Sequence, residues 1–496
     1  MRSTYALDGS GAAASLREED IMSNEKTRGA IIKVKKNVRE KKGNVKEKFV
    51  MIRKIFLYLT IITLANYAPR AALAQPPIYQ FVRIATLGDT PPGGGTFIND
   101  FEPWSINSSG DIAFAADLST GGEGVFVYHK GQIIEIMRSG QSAPGGGTFN
   151  GGVLSHIIIN GKGDAAFTFT LDDFPLAGVY QFTRASNTLS AVMVPGVTPV
   201  PEGGGTFQGA SENASLNNQG TIAFAGVIST TNGLPADKGL GVGVFQASKA
   251  GNISTVVKPG DPAPGGGQFD AAFHPWVNGR GDIAFGGHVK DEECIIQRLL
   301  FCAESVYVAY ANSGQIISIA HQGDPAPVPG GGTYRFAFGP ALNNAGDIAF
   351  IGGLSTNSDS GQDLGVFYYS AAKGRTDPVA LPGDPMPGGG DLLTAPFINL
   401  NFDVSNRNNV VAFAGVLNTK TNGTDNDTGL YVSSPGGLRL VVRTGTVIPG
   451  VGTIATLSAP DFPIPWSGGA VNEHGQIAFA ATLTDGRTVL ILATPR

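Results

Sequence analysis

The stretch N-S-S-G-D-I-A-F, residues 107–114, decides the fold because the chain repeats it. Close copies include N-G-K-G-D-A-A-F from residue 160 and N-E-H-G-Q-I-A-F from residue 472. The seven copies begin at Asn107, Asn160, Asn217, Asn278, Asn343, Asn406 and Asn472. Their spacing drifts from 53 to 66 residues, while the phrase keeps its length. A fixed phrase inside a variable period predicts repeated supersecondary units with insertions in their loops.

The phrase has the chemistry of a hairpin turn followed by a buried strand. Asn is favoured at the first position of a type I turn, where its side chain bonds to the backbone ahead. Gly three residues later supplies the positive φ of a G1 bulge. Six copies have glycine there, namely Gly110, Gly163, Gly220, Gly281, Gly346 and Gly475. The other copy has Asn409, and Asn is the next residue most tolerant of this conformation. The I-A-F-A that follows predicts a strand buried on both faces, one bulky and one small.

Three further marks recur in each unit. A second strand such as G-V-F-V-Y from Gly124 follows the phrase, and a third such as Q-I-I-E-I-M from Gln132 comes next. A Gly-rich turn, P-G-G-G-T-F at Pro92 and Pro144, then leads to an extended segment before the next Asn. Four strands in about 60 residues is the size of a propeller blade.

The two ends of the repeat region complement each other. The segment from Phe81 matches a fourth strand and a Gly-rich turn, and the chain ends after a third strand that begins at Thr488. We therefore predict an all-β, seven-bladed β-propeller with four antiparallel strands per blade, in which the N-terminal strand completes the last blade. Such closure removes exposed sheet edges. The alternatives are a β-helix, whose coils are far shorter, and a row of separate sandwiches, which would not need interlocking ends.

The first 74 residues differ from the rest. Residues 1–50 are basic and poor in apolar side chains, which indicates a disordered or misannotated extension. Residues 51–74 carry Arg53 and Lys54, an apolar run and a terminal A-L-A, which is the order of a signal peptide cleaved after Ala74. The apolar run is shorter than the roughly 20 residues of a membrane-spanning helix. The alternative to a signal peptide is a buried core helix, and the alternative to a misannotated extension is a long n-region that is removed with the signal. We expect residues 75–496 to form one propeller domain.

Charge and cysteine usage fit an exported chain. Residues 75–496 contain 20 Lys and Arg against 33 Asp and Glu, a net charge of −13. Such a surface repels phosphate backbones, so we expect no nucleic-acid partner. Cys294 and Cys302 are close in sequence, and in an exported protein they favour a disulfide over two free thiols. We expect a secreted or periplasmic monomer without a transmembrane anchor after signal cleavage.

The repeat resembles that of a bacterial family of exported tandem-repeat proteins named for the N-x-x-G-x-x-A-F motif. The likeness covers nearly all of residues 81–496, with seven copies at one internal spacing. Members of that family often carry a C-terminal sorting tail, which this chain lacks before Arg496. The resemblance implies an exported propeller without that anchoring, and it offers no catalytic residue to transfer.

The innermost strand of each blade precedes each repeated Asn and lines the central channel of a propeller. Acidic and imidazole side chains on these strands are Glu102, His156, Glu212, His274 and Asp403. Converging from different blades, they could bind a cation or act as acid and base. The alternative is that they solvate a water-filled channel. We name no catalytic or metal-ligating residue from the sequence.

The Gly-rich turns offer a second kind of candidate site. Aspartates in these turns are Asp89, Asp261, Asp324 and Asp384. Oxygen-rich loops suit Ca²⁺, but an Asp at such a corner more often caps its own turn, and we favour capping. The turns lack the G-K-[ST] of a phosphate-binding loop, so we expect no nucleotide and, Ca²⁺ apart, no cofactor.

Variable loops indicate the function that we predict. The links after Phe224 and Phe285 are long, and such links share one face with the Gly-rich turns. Recognition commonly lies in variable loops on a rigid scaffold, although neutral insertion is an alternative. We predict a binding or interaction module for an extracytoplasmic protein or glycan, with the loop face of blades three to five as contact surface. The alternatives are a hydrolase or lyase at the channel mouth and a structural envelope protein.

Overall fold

A computed structural model describes residues 79–153, 156–172, 177–233, 239–292, 305–355, 364–394, 403–404, 410–419, 427–457 and 470–496. The chain divides into two units, Met1–Ala72 and Leu73–Arg496, and the described residues all belong to the second. The expected extension and signal peptide, both cysteines, Asn406 and Asn409 lie outside these ranges. Within them, no helix has the length and apolar character needed to cross a bilayer.

The described chain consists of β-strands and one short 3-10 turn, Pro201–Gly203. The strands are β1 (Tyr79–Thr86), β2 (Phe97–Ile106), β3 (Ile112–Leu118), β4 (Glu123–His129), β5 (Gln132–Arg138), β6 (Phe149–Val153), β7 (Ile158–Ile159), β8 (Ala165–Leu171), β9 (Ala177–Thr183), β10 (Thr188–Met193), β11 (Gly209–Leu216), β12 (Ile222–Ser229), β13 (Leu240–Ala247), β14 (Ile253–Val257), β15 (Phe269–Val277), β16 (Ile283–Val289), β17 (Ser305–Ala309), β18 (Ile316–Ala320), β19 (Thr333–Leu342), β20 (Ile348–Ser355), β21 (Leu364–Ser370), β22 (Arg375–Ala380), β23 (Asp391–Thr394), β24 (Asp403–Val404), β25 (Val411–Asn418), β26 (Asp427–Ser434), β27 (Gly437–Arg443), β28 (Val447–Ile448), β29 (Gly452–Thr456), β30 (Ala470–Val471), β31 (Ile477–Leu483) and β32 (Thr488–Pro495).

These strands pair into antiparallel blades in a propeller-like arrangement, which confirms the predicted all-β class. Three blades are four-stranded in simple chain order: β2 to β5, β15 to β18 and β19 to β22. Two more have extra short strands, β23 to β27 and the sheet containing β28 to β32. The described strands form six sheets rather than the seven expected, because one sheet, β6 to β14, contains nine strands. A single residue pair, Ala210 with Ala177, joins its two halves.

The two ends of the described chain meet in one sheet. β1 pairs antiparallel with β32, from Tyr79 opposite Pro495 to Thr86 opposite Val489. β32 in turn pairs with β31. The first described strand therefore supplies the outer edge of the blade that the last described residues build.

Five of the repeat units bury a trio of packed aromatic side chains. In the first blade Phe114 stacks on Phe126 at 5.4 Å between ring centroids, and Phe97 meets Phe126 edge-on at 5.2 Å. Equivalent trios are Phe207, Phe224 and Phe245, and Tyr334, Phe350 and Phe367. The alanines of the small face, Ala113 and Ala115, are fully buried in a cluster with residues of the second blade. Large side chains from one blade thus pack against the small face of its neighbour, as the repeat predicted.

Candidate functional site

The repeated Asn first organises its own turn. Asn107 Oδ1 accepts hydrogen bonds from the backbone N–H of Ser109 and of Asp111, each at 2.9 Å. The Gly110 N–H donates to the Asn107 carbonyl at 3.0 Å, and Gly110 has φ of 80°. The same two side-chain bonds recur at Asn160, Asn217, Asn343 and Asn472 and, with Arg280 and Asp282 as donors, at Asn278. The predicted turn and its glycine are confirmed wherever the structure describes them.

The amide nitrogen of the same Asn connects neighbouring blades. Asn107 Nδ2 donates to the carbonyl of Asn160 in the next blade at 3.0 Å. The series continues around the axis from Asn160 to Asn217, from Asn217 to Asn278 and from Asn278 to Asn343, at 2.9–3.2 Å. Asn472 Nδ2 donates to the Asn107 carbonyl at 2.9 Å, which joins the last blade to the first. We call these residues the Asn ring.

The Asn ring is a structural element, and at Asn107 every hydrogen-bonding group of the side-chain amide is used. Asn107 is 4% exposed, and its Nδ2 also donates to Asp111 Oδ2 at 3.1 Å, so both amide hydrogens and the carbonyl oxygen have partners. Sequence reasoning found the local bonds and missed the bonds between blades. The sequence signal for these bonds is that all seven copies have Asn at this position. Asp and Ser also suit the turn, but only an amide side chain can both accept two hydrogen bonds and donate two.

The Gly-rich turns are also held by the protein itself. Asp89 Oδ2 accepts the N–H of Thr86 at 2.8 Å, and Asp261, Asp324 and Asp384 make the same bond to the residue three positions earlier. Arg138 donates to the carbonyls of Pro92 at 2.8 Å and Gly94 at 3.3 Å, and Arg443 binds the turn at Gly388 and Gly389 in the same way. The side chains of these aspartates cap their turns, which is the role that the sequence favoured over Ca²⁺ binding.

The structure describes the side chains of three of the five predicted channel residues. Glu102 is partly buried in β2, His156 is buried, and His274 is partly buried in β15 with φ of 49°. Glu212 and Asp403 lie in β11 and β24, and their side chains are outside the description. Across the described part of the chain, no three His, Cys, Asp or Glu side chains are grouped so that they could hold a metal ion.

One predicted residue, Glu102, belongs to an acidic cluster that sequence reasoning missed. We define the blade-one acidic cluster as Glu123 together with the carboxylates whose charges act on it, Asp100, Glu102 and Asp117, which lie on β2, β3 and β4. Glu123 Oε2 accepts the N–H of Val153, on the innermost strand of the next blade, at 3.0 Å. Although Glu123 as a residue is partly exposed, its Oε1 is buried and has no hydrogen-bond partner among the described residues. Glu123 therefore connects its own blade to the innermost strand of the next.

Burial and like charge act together on Glu123. Desolvation is the largest cause, and it raises the pKa of this carboxyl well above its ordinary value of 4.5. The nearby carboxylates of Glu102, Asp117 and Asp100 raise the pKa further, while the Val153 N–H opposes the shift. Apart from Glu102, none of these positions distinguishes itself in the sequence, because their effect on Glu123 arises only when the strands pair.

Replacing Glu123 by Gln should stabilise the protein at alkaline pH. The folded state holds the Glu123 proton more tightly than the unfolded state, so wild-type stability falls as pH rises from about 4.5 through the raised pKa. Gln keeps the shape without the charge. We expect Tm of Glu123→Gln to exceed wild type by at least about 2 °C at pH 8 and to match it at pH 4. Thermal unfolding across pH measures this, with Asp485→Asn as control. An equal difference in Tm between variant and wild type at pH 8 and pH 4 would contradict this prediction.

A second group of titratable residues lies on blade four beside its long link. His288 Nδ1 lies 2.7 Å from Asp270 Oδ1, and both side chains are buried. His321 contacts Glu292 Oε1 through Nε2 at 2.9 Å and donates from Nδ1 to the Gln322 carbonyl at 2.9 Å. The hydrogen bond to Glu292 raises the pKa of His321. Glu292 is the last described residue before the long link.

Comparison with known proteins identifies a family and supplies no activity. The profile of a family of unknown function, DUF7453, matches residues 80–299 and 300–489. Membership of the N-x-x-G-x-x-A-F repeat family stays a prediction. No curated protein sequence matches the chain.

Several solved structures share the general arrangement. Oligogalacturonate lyase from Vibrio parahaemolyticus is 10% identical, with 84% of this chain and 96% of that chain covered and a TM-score of 0.47. A puromycin-hydrolyzing peptidase of Mycobacterium tuberculosis is 12% identical, with 84% and 54% covered and a TM-score of 0.47. TolB from Acinetobacter baumannii is 11% identical, with 66% and 63% covered and a TM-score of 0.36. Likenesses this distant carry no argument about the chemistry of this chain.

Proposed function

We propose that this chain, which belongs to DUF7453, is an exported seven-bladed propeller that binds a cationic group of an extracytoplasmic partner at its loop face. The count of seven treats the nine-stranded sheet as two blades, because one residue pair joins its halves. It also fits the seven repeats. Export rests on the signal-peptide pattern of residues 51–74.

The blade-one acidic cluster is the observation that carries the binding proposal. The charges of three other carboxylates act on Glu123, and its buried Oε1 has no donor among the described residues. A buried carboxylate oxygen without a donor is costly, and an ammonium or guanidinium group would supply both charge and hydrogen bonds. The net charge of −13 of residues 75–496 would also speed the approach of a basic partner.

The chemistry favours a basic protein segment as partner. Lys and Arg side chains are long enough to reach a partly buried carboxylate from the surface, and Arg can bind two carboxylate oxygens at once. An amino sugar of a glycan carries the same charge on a shorter arm. The long links of blades three to five, favoured by the sequence as contact surface, lie mostly outside the described residues.

Binding of Arg- and Lys-containing peptides and of chitosan oligosaccharides tests this proposal. Titration calorimetry of the full chain should show binding of the basic peptides that weakens with salt. Glu102→Gln and Glu123→Gln should each weaken it at least about tenfold, since a lost charge-assisted hydrogen bond costs 1.4 kcal/mol or more. Asp485→Asn, an exposed change on the same face, is the matched control. An equal loss in the control would show that only overall charge matters, and preference for chitosan would assign the partner to glycans.

A hydrolase or lyase is the second candidate, and the same cluster favours it. A carboxyl with a raised pKa beside other carboxylates is the arrangement that separates a general acid from a general base. In this mechanism Glu123 donates a proton and Glu102 accepts one. Turnover of a glycan or lactone panel that is lost in both Gln variants would support the enzyme over the binding module. Peptide binding without turnover would reject it.

A further inference from the structure

The boundary between blades two and three shows the arrangement that this part of the repeat has without charged residues. There Ala177 of β9 pairs with Ala210 of β11, and both side chains are buried. At the boundary between blades one and two, the same repeat positions are occupied by Glu123 of β4 and Gly152 of β6. An acidic side chain and a residue without a side chain therefore replace a pair of alanines.

Gly152 leaves the space that the Glu123 carboxylate occupies. A Cβ added at Gly152 would overlap Glu123 Oε2 and would lie 3.2 Å from the carboxyl carbon, and the three atoms nearest to it all belong to Glu123. The N–H of Val153, the next residue, donates to the same Oε2 at 3.0 Å. Because Gly152 does not have a positive φ, its backbone would accept alanine if the carboxylate were elsewhere.

Two hydroxyl groups fix the backbones on either side of this carboxylate. Ser139 Oγ accepts the Glu123 N–H at 3.1 Å and donates to the Gly151 carbonyl of blade two at 2.8 Å. Thr170 Oγ1, on β8, accepts the Gly152 N–H at 3.0 Å, and Thr170 is buried. This part of β6 is irregular in its pairing with β8, and such bulges redirect the groups that they carry. The carboxylate therefore lies between two backbones that the protein holds in place.

We propose that Gly152 is a positioning residue of the cation site, because it gives the Glu123 carboxylate room to enter the boundary between blades one and two. The Val153 N–H binds one carboxylate oxygen there. The other oxygen, Oε1, is buried without a donor among the described residues, and it accepts from the cation. Gly152 itself acts only through Glu123. The identity of the ligand rests on the proposed function, whereas the position of the carboxylate does not.

Gly152→Ala in the full chain tests this role. The change gives blade two the residue that stands at this position in three later repeats, Ala210, Ala272 and Ala337. The added methyl group should displace the Glu123 carboxylate from the boundary towards water. Calorimetric titration with the Arg- and Lys-containing peptides should then show binding at least about tenfold weaker than in wild type, as for Glu123→Gln.

Thermal unfolding without peptide separates positioning from a simple loss of packing. In wild type, burial raises the pKa of Glu123 above its ordinary value of 4.5, as do its charged neighbours Glu102, Asp117 and Asp100, so stability falls as pH rises. A carboxylate displaced into water by Gly152→Ala would lose this penalty. The difference in Tm, variant minus wild type, should therefore be at least about 1 °C more positive at pH 8 than at pH 4. Equal differences at the two pH values would indicate a packing defect alone and would overturn the proposal.

Glu123→Ala with Gly152→Ala is the matched control, because it reproduces the alanine pair of the next boundary, Ala177 and Ala210. At pH 4, Gly152→Ala should lower the Tm of wild type by at least about 1 °C, since the carboxyl loses its place and its bond from Val153. In the Glu123→Ala background the same change should not lower Tm, because no carboxyl is displaced. Equal losses of Tm in both backgrounds would overturn the proposal.

The two kinds of measurement distinguish this inference from the proposed function. If wild type binds no basic peptide, the proposed function fails, and the Tm comparisons still decide whether Gly152 positions the carboxylate. If wild type binds the peptides and Gly152→Ala binds them equally well, the positioning role is overturned and the binding function stands.

Discussion

Asn107→Leu should lower the free energy of unfolding by about 3–5 kcal/mol. Leu has nearly the same volume, but it leaves the N–H groups of Ser109 and Asp111 and the carbonyl of Asn160 without their partner. Each buried polar group left without a partner costs about 1–3 kcal/mol. Urea unfolding followed by circular dichroism measures the loss.

Two further variants separate the turn from the ring. Asn107→Asp keeps the acceptor of the turn but replaces the donor to Asn160 with a charged oxygen beside Asp111. We expect it to lose nearly as much stability as the Leu variant above pH 6 and to recover part of it near pH 4, where the carboxyl is protonated. Asn252→Ala, at an exposed asparagine, should change stability by less than about 0.5 kcal/mol. A loss below 1 kcal/mol in Asn107→Leu would show that the Asn ring does not stabilise the propeller.

Deleting residues 79–86 should prevent the chain from folding as a monomer. These residues are β1, and without them β32 becomes an unpaired edge at the surface. The deletion also removes Ala85, which is 1% exposed, and the edge contact of Phe81 with Phe479 at 6.3 Å. We expect a loss above about 5 kcal/mol, which is as large as the whole stability of many domains. Size-exclusion chromatography and circular dichroism would show aggregated or unfolded protein.

A peptide added in trans provides the decisive check on the deletion. A synthetic peptide of residues 77–90 should restore a folded monomer, because it can pair with the free edge of β32. Deletion of eight residues from the predicted extension, 36–43, is the control and should leave the propeller intact. A stable, monomeric protein after removal of 79–86 would show that β1 is dispensable for closure.

Local features of the fold were predictable because the signals for them are local. A turn of five residues is determined by its own sequence, so Asn at its start and Gly110 with positive φ could be recognised without a structure. The alternation in Ile112 to Ala115 likewise defined two buried faces. The expected pairing of the chain ends followed from the missing strands at each terminus, and β1 does pair with β32.

Features that depend on contacts between distant residues were not predictable in the same way. The bond from Asn107 to the carbonyl of Asn160 joins residues 53 positions apart, and nothing in either turn specifies its partner. The environment of Glu123 depends on carboxylates from β2 and β3 and on an N–H from β6. Glu102 was recognised only because it lies on an innermost strand. The expected number of separate sheets was wrong for a similar reason, because one backbone pair at Ala210 joins two repeat units into one sheet.

Every described bond between neighbours in the Asn ring has the same polarity: each turn gives an amide hydrogen to the next and receives one from the turn before. Head and tail of the repeats whose turns are described are therefore interchangeable connectors. A duplicated or transplanted repeat would arrive with its donor and acceptor already matched to any neighbour. Circular permutants that open the chain between repeats, and chimaeras that exchange whole repeats, should accordingly retain the described hydrogen bonds between neighbouring Asn turns.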